Sequence, residues 1–291
     1  MIVSIVISTR NAAGTLETCL KSVRLQNYRN GEIVIADNYS VDNTREIGKR
    51  YGAKVITCGP RPPHNNYFTG PIQKKLGTLH ASGDFIFLVD ADMILELGLI
   101  EECLELCRDG AQAIAIPELS FGNGFWSTCK VAERKCYFES SFSDWAIQAC
   151  RFFERSTFKS IGGWDGVTGV FDDWDLTARL RSRGYRISRS RKRIFHNEGH
   201  LTLRRIIMKK HSMGKVGFLM KYLSLGGKSF ATVSDQLTPL RIIWLLSKLA
   251  RMNKNLAIIL GVLFLKVIEG MAFMTGIVGK PKNYESDLNQ L

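Results

Sequence analysis

The chain has 291 residues, 45% of them hydrophobic and 23% charged, which excludes a disordered polymer and leaves room for one large α/β domain plus an appendage. The net charge of +13 is uneven: residues 1–180 hold 19 Lys/Arg against 22 Asp/Glu, net −3, and residues 181–291 hold 21 against 5, net +16. Seven cysteines with no CxxC pair and no Cys/His cluster exclude a zinc-finger framework and suit a reducing compartment.

The first residues, Met1-Ile2-Val3-Ser4-Ile5-Val6-Ile7-Ser8, lack the basic start of a signal peptide and read as a strand. Residues 15–26 follow as a helix, with Leu16, Cys19, Leu20 and Val23 on one face. Residues 32–36 make a second strand, residues 44–50 a short helix and residues 54–57 a third strand. Residues 58–72 hold four of the seven prolines and read as a loop, before a helix over 72–81. Strands alternating with helices predict a mainly parallel sheet with helices on both faces. In such sheets ligands bind beyond the carboxyl ends of the strands. The polar clusters at Thr9, Asp37 and Asp90 each stand at such an end.

The sharpest of these is Phe85-Ile86-Phe87-Leu88-Val89-Asp90-Ala91-Asp92. Five apolar residues describe a strand buried on both faces, and two carboxylates follow at i and i+2. That spacing puts both on one side of an extended chain, as a divalent cation bridging to phosphates requires. The alternative is that Asp90 or Asp92 caps the helix expected over 97–108. In that helix Cys103 and Cys107 lie one turn apart on a core face. A strand over 112–116 and a Gly/aromatic stretch, Phe121-Gly122-Asn123-Gly124-Phe125-Trp126, come next.

Ile161-Gly162-Gly163-Trp164-Asp165 reads as a turn, and Phe171-Asp172-Asp173-Trp174-Asp175-Leu176 opens a helix ending near Gly184. Its acids suit the helix dipole as well as they suit catalysis. Arg186, Arg189, Arg191, Lys192 and Arg193 form a basic run. His196-Asn197-Glu198-Gly199-His200 matches neither order of the zinc-protease signature. Residues 201–223 and 240–251 read as basic amphipathic helices. Residues 256–278 are the most apolar, but Lys266 and Glu269 interrupt them. A spanning helix needs about 20 apolar residues and tolerates central charge poorly. The expectation is a peripheral, interfacial pair of helices, with one C-terminal membrane segment as the alternative.

Together these residues resemble the family-2 glycosyltransferases of GT-A fold. The resemblance rests on six short motifs in order over residues 2–200: Ser8-Thr9-Arg10-Asn11; Asp37 to Thr44; Ala81-Ser82-Gly83-Asp84 leading into Asp90-Ala91-Asp92; Gly162-Gly163-Trp164-Asp165; Asp172-Asp173-Trp174-Asp175; and His196-Asn197-Glu198-Gly199. It implies a catalytic domain over 1–200, with 201–291 as a basic helical region of the membrane-associated type. It implies an inverting transfer from a nucleotide-diphosphate sugar with Mn²⁺ or Mg²⁺. The acceptor would be a hydroxyl on a lipid-linked, polyprenyl-type glycan or lipid at the cytoplasmic face of the cell membrane. Thr9, Arg10 and Asn38 would bind the donor, Thr9 and Asn38 lining the base pocket. Asp90 would reach the ribose and Lys74 a phosphate. Asp92 would hold the metal, with His196 as a further metal or diphosphate contact. Asp173 would be the general base, beside Asp172.

Three positions depart from the family pattern. Asn38 replaces the usual second Asp of the base cluster, Asp172-Asp173 replaces Glu-Asp, and Lys75 replaces Asn. Asn38 can both donate and accept, which leaves the base open. Two other readings stand beside this one. A sugar-nucleotide pyrophosphorylase would need a Gly-rich basic N-terminal loop, which Ser8 to Asn11 do not supply. A non-catalytic protein binding membrane or nucleic acid would rest on the +16 tail, whose aromatics lie in apolar faces and disfavour nucleic acid.

Overall fold

The structure is a computed structural model, and it describes residues 1–58, 70–138, 150–164, 172–222, 239–252 and 255–278. The chain divides into two compact units, residues 1–122 with 134–199, and residues 123–133 with 200–291.

The first unit is built on a seven-stranded sheet. Its strands are β1 (Val3–Thr9), β2 (Gly31–Asp37), β3 (Lys54–Thr57), β4 (Phe85–Asp90), β6 (Ala113–Ala115), β8 (Cys150–Glu154) and β9 (Ile187–Arg189), in the order β3-β2-β1-β4-β8-β6-β9. β1 to β4 run parallel, and β8 is antiparallel to both β4 and β6. A smaller sheet of β5 (Met93–Leu95), β10 (Ile194–His200) and β7 (Glu118–Asn123) has β10 at its centre.

Period-two alternation sends the strand side chains to both faces. Val3, Ile5, Ile7, Phe85, Phe87 and Val89 join one core with α1 (Ala13–Arg24), α2 (Thr44–Arg50) and α4 (Leu99–Arg108). Val6, Val34, Ile86 and Leu88 join the other with α6 (Arg155–Ser160) and α7 (Asp172–Ser182). The helix expected over 72–81 is α3 (Gly70–Leu79). All seven cysteines are free, and Cys103 and Cys107 are buried in the first core.

One early motif is structural. Ser82, Gly83 and Asp84 precede β4, at the amino end of the sheet. Asp84 Oδ2 accepts from the Ile2 amide at 2.7 Å, and the Gly83 amide donates to Ser4 Oγ at 2.7 Å. A Cβ on Gly83 would stand 2.6 Å from Ser4 Oγ and 2.7 Å from the Ile2 carbonyl, so only glycine fits.

The Gly/aromatic stretch resolves into the end of β7 and the start of α5 (Phe125–Phe138), a helix that the sequence reading missed. Residues 125–133 of α5 belong to the second unit, together with α8 (Leu203–Tyr222), α9 (Pro239–Met252) and α10 (Leu256–Val278). α8 packs closely along α10, because a Cβ on Gly214 or Gly276 would strike the backbone of the other helix. α10 is long and apolar enough to cross a membrane by length and composition.

The charges that interrupt α10 are not exposed. Lys130 Nζ lies 2.6 Å from Glu133 Oε2 and 2.8 Å from Glu269 Oε1. Lys266 Nζ lies 3.0 Å from Glu269 Oε2 and also pairs with Glu133 Oε1. Two cations and two carboxylates alternate around a closed square.

Candidate functional site

Strand register brings the polar ends of β1, β2 and β4 together: Thr9 stands beside Asp37, and Ser8 beside Asp90. Asp37 is fully committed inside the protein. Its carboxylate accepts from Thr9 Oγ1 at 3.0 Å, the Ser40 amide at 3.0 Å and Ser40 Oγ at 2.5 Å. The remaining acids and hydroxyls of that loop hold the start of α1, which Ala12 cannot cap. The Ala12 amide donates to Thr44 Oγ1 at 2.8 Å, and the Ala13 amide to Asp42 Oδ2 at 3.1 Å. Asn11 and Tyr39 adopt left-handed backbone, each with φ of 48°, where the two loops meet. Gln73 of α3 fastens the strand ends, donating to the carbonyls of Thr9 at 2.7 Å and Ala36 at 2.8 Å.

Asn38 is different. Its side chain is fully buried, yet neither Oδ1 nor Nδ2 has a hydrogen-bond partner among the described residues. A buried amide left unpaired costs about 1–3 kcal/mol, and an occupant offering both a donor and an acceptor would offset that cost. Arg10 is exposed at the exit of β1.

Asp90 sits in a field of cations. Its Oδ1 accepts from Ser8 Oγ at 3.3 Å and lies 3.9 Å from Lys74 Nζ, and its Oδ2 lies 3.3 Å from Arg151 Nη2. Burial by itself would raise the carboxyl, but Lys74, Arg151 and His196 outweigh it and hold it at about 2. Lys74 is buried, with its ammonium 5.0 Å from the centre of the Trp164 ring.

His196 of β10 stands between two carboxylates. Nε2 is 3.4 Å from Asp92 Oδ1, and Nδ1 is 3.2 Å from Glu118 Oε2. Burial would lower the imidazole, but both carboxylates raise it to about 10, so the ring carries a proton here. Glu118 is half-buried; loss of water pushes its carboxyl up, and Arg151 and His196 more than reverse that, leaving it well below the usual range. Arg134 closes the edge, 2.5 Å from Glu198 Oε1 and 3.5 Å from His196 Nδ1.

Among the described residues, no three His, Cys, Asp or Glu side chains are arranged to hold a metal. The donors still suit a cation completed by phosphate oxygens. Asp92 Oδ1 is buried without a hydrogen bond, although the Asp92 side chain as a whole is 41% exposed. The imidazolium already occupies the neighbourhood of that oxygen with positive charge. A divalent cation held by Asp92 and His196 would supply positive charge in its place and would require the ring in its neutral form.

Of the sequence-predicted site residues, the structure gathers Thr9, Asn38, Lys74, Asp90, Asp92 and His196 at one sheet edge of the first unit. α7 begins at Asp172, but the side chains of Asp172 and Asp173 lie outside those described. Sequence reasoning missed Gln73, Glu118 and Arg151. No local signal marks them, because each acts on residues of distant strands.

A mainly parallel sheet covered by helices on both faces, with an acidic pair at its carboxyl edge, defines the GT-A class of fold. The chain belongs to glycosyl transferase family 2, whose description matches residues 4–157, more than half its length. It is 25% identical to the O-antigen chain rhamnosyltransferase WbaN of Salmonella anatum over 54% of this chain and 53% of that one. It is 26% identical to the succinoglycan biosynthesis protein ExoA of Rhizobium meliloti over 63% of this chain and 59% of that one. The chain thus spans little more than half the length of these relatives. Among solved structures it resembles the mannosyltransferase PcManGT of Pyrobaculum calidifontis in complex with GDP-Man and Mn²⁺, with TM-score 0.59 and 16% identity, covering 96% of this chain and 88% of that one. It also resembles S. aureus TarS in complex with UDP, with TM-score 0.56 and 14% identity, covering 100% and 92%. Family membership sets aside the pyrophosphorylase reading.

Proposed function

We propose that the chain is an inverting glycosyltransferase that moves a sugar from a nucleoside diphosphate to a hydroxyl of a lipid-linked acceptor. The observation that carries this is the buried, unpartnered amide of Asn38 at the carboxyl ends of the strands, where Asp92 Oδ1 is likewise buried without a hydrogen bond. A nucleobase offers the paired donor and acceptor that Asn38 lacks, and Thr9 forms the wall beside it. Asp90, kept ionised, accepts from a ribose hydroxyl. Lys74 can exchange Asp90 for a phosphate oxygen, and Arg10 lies at the open rim. Asp92, with His196, would hold Mn²⁺ or Mg²⁺, which supplies charge stabilisation to the departing diphosphate. Asp173 takes the proton from the acceptor hydroxyl, and Asp172 tunes it through like charge. Inversion follows from direct displacement on the face opposite the leaving group. The printed names of WbaN and ExoA, one an O-antigen rhamnosyltransferase and one a succinoglycan biosynthesis protein, support a polysaccharide acceptor.

The second unit suits work at the cytoplasmic face of an anionic membrane. On α10, Leu256, Leu260, Leu263, Phe264, Val267 and Met271 continue through Met274 and Val278 as one exposed apolar stripe. α8, packed beside it, exposes Arg204, Arg205, Lys209 and Lys215. A spanning α10 would draw those charges into hydrocarbon, whereas an in-plane α10 leaves them at the headgroups. Lipid complements this charge, and a second copy would repel it.

A thermal-shift screen of UDP-, GDP- and dTDP-sugars with Mn²⁺ tests the donor reading. One base raises the melting temperature in wild type, and Asn38→Ala abolishes the shift. A flat response to all three, with and without Mn²⁺, would reject it.

A further inference from the structure

The geometry points to Glu118 as a positioning residue that aims His196 at Asp92 with one carboxylate oxygen while anchoring Arg151 against Asp90 with the other. The inference rests on the reading of this pocket as a nucleotide and metal site, and adds to it a residue that touches neither.

An imidazole presents to a ligand whichever nitrogen its second hydrogen bond leaves free. In His196 that second bond is Nδ1 to Glu118 Oε2 at 3.2 Å, and it leaves Nε2 facing Asp92 Oδ1 at 3.4 Å. The other polar group beside Nδ1 is Arg134 Nη1 at 3.5 Å. A guanidinium only donates, so it cannot hold a protonated Nδ1 in place. Glu118 therefore sets the ring's attitude.

The second oxygen has a separate task. Glu118 Oε1 accepts from Arg151 Nε at 2.7 Å and lies 2.6 Å from Nη2, while Nη2 lies 3.3 Å from Asp90 Oδ2. The Arg151 side chain is 4% exposed and that of Glu118 15%, so neither charge could stand alone. Glu118 comes from the small sheet and Arg151 from the large one. One side chain thus links His196, in the small sheet, to Asp90, at the edge of the large one, and keeps the two acidic arms at a constant separation.

The experiment titrates Mn²⁺ in the presence of UDP or GDP, with free Mn²⁺ read by its electron paramagnetic resonance signal. The proteins are wild type, Glu118→Gln, His196→Ala, the double variant and Asp92→Asn, each well below its melting temperature. Glutamine keeps an acceptor for Arg151 but offers an N–H where Nδ1 needs an acceptor, so the fold is kept and the ring released. Outer-shell partners of this kind typically matter by about 10–100-fold in metal affinity. We expect Glu118→Gln to weaken Mn²⁺ by about tenfold or more. We expect no further loss when it is added to His196→Ala, because its effect passes through that ring. Unchanged Mn²⁺ affinity in Glu118→Gln, with Asp92→Asn impaired, would overturn the inference and leave the metal reading standing. Losses that multiply in the double variant would overturn it too. If Asp92→Asn also binds Mn²⁺ like wild type, the metal reading fails and the inference falls with it.

Discussion

The protein holds two charge clusters, one buried and one half-buried, and they differ in completeness. The square of Lys130, Glu133, Lys266 and Glu269 in the second unit is closed, each charge meeting two of opposite sign. The cluster of Lys74, Asp90, Arg151, Glu118, His196 and Asp92 in the first unit is open, because Asp92 Oδ1 faces the His196 ring at 3.4 Å without a hydrogen bond, and the Asn38 amide at the ends of the same strands has no partner among the described residues. A closed cluster satisfies itself and serves the fold. An open one leaves its cost of desolvation to be offset by a ligand. The distinction lies in the atoms left without hydrogen bonds, since both clusters are ionic.

This contrast breaks at four points, of decreasing effect. The first is chemistry at the open site. Asp173→Asn is expected to lower turnover on a hydroxyl acceptor by about 10²–10⁴-fold, with donor affinity unchanged and Asp172→Asn milder. Near-wild-type turnover, together with normal donor hydrolysis by water, would make Asp173 a helix-start acid only. An acceptor that is itself an ionised lipid phosphate would need no base, and the variant would then be mild on it.

The second is the closed square. Glu133→Ala leaves Lys130 and Lys266 sharing the single carboxylate of Glu269, and breaking such buried pairs typically costs about 3–5 kcal/mol. The denaturation midpoint should fall accordingly, while nucleotide binding by the folded protein holds. Replacing all four residues, together with Lys210, whose ammonium also feels Glu269 and Glu133, by Met and Leu should restore most of the loss, since an apolar set has no charge to desolvate. A square whose loss impaired nucleotide binding instead would erase the contrast.

The third is the orphaned oxygen. Asp92→Asn should remove the Mn²⁺-dependent part of nucleoside diphosphate binding and leave the melting temperature near wild type. A large drop in melting temperature would place Asp92 among the structural charges.

The smallest effect concerns the apolar stripe. Burying one large side chain contributes about 1.5–3 kcal/mol, so Val267→Glu or Met271→Glu should weaken binding to phosphatidylcholine/phosphatidylglycerol vesicles by roughly tenfold or more. Added salt should weaken wild-type binding too, because exposed charges are screened over about 10 Å at 0.1 M. A protein that stays with the vesicles in 1 M salt and needs detergent would have α10 as a span. Loss of self-association rather than of vesicle binding would make the stripe a contact between copies.

Much of the first unit was legible from local pattern. Short apolar runs marked β1, β2 and β4, because their side chains alternate between two different cores and both faces must be apolar. The Asp90/Asp92 spacing located the site edge, because a buried strand has no local use for two carboxylates. The loop from Asp37 to Thr44 was legible as a motif but not in its division of labour. Asp37, Ser40, Asp42 and Thr44 hold β1 and the start of α1, and the buried side chain of Asn38 has no partner among the described residues.

What the chain determined by itself was its elements, since periodicity and turn chemistry act over a few residues. The tertiary structure decided which charges are satisfied. Lys266 and Glu269 read as flaws in an apolar run until folding sets them against Lys130 and Glu133, more than a hundred positions earlier. Glu118 and Arg151 carry no local mark of a role until β7 and β8 bring them between His196 and Asp90. The physical reason is the same in both places. The free energy of a buried charge depends on partners within about 4 Å, and nothing in the local sequence states which distant residue will stand there.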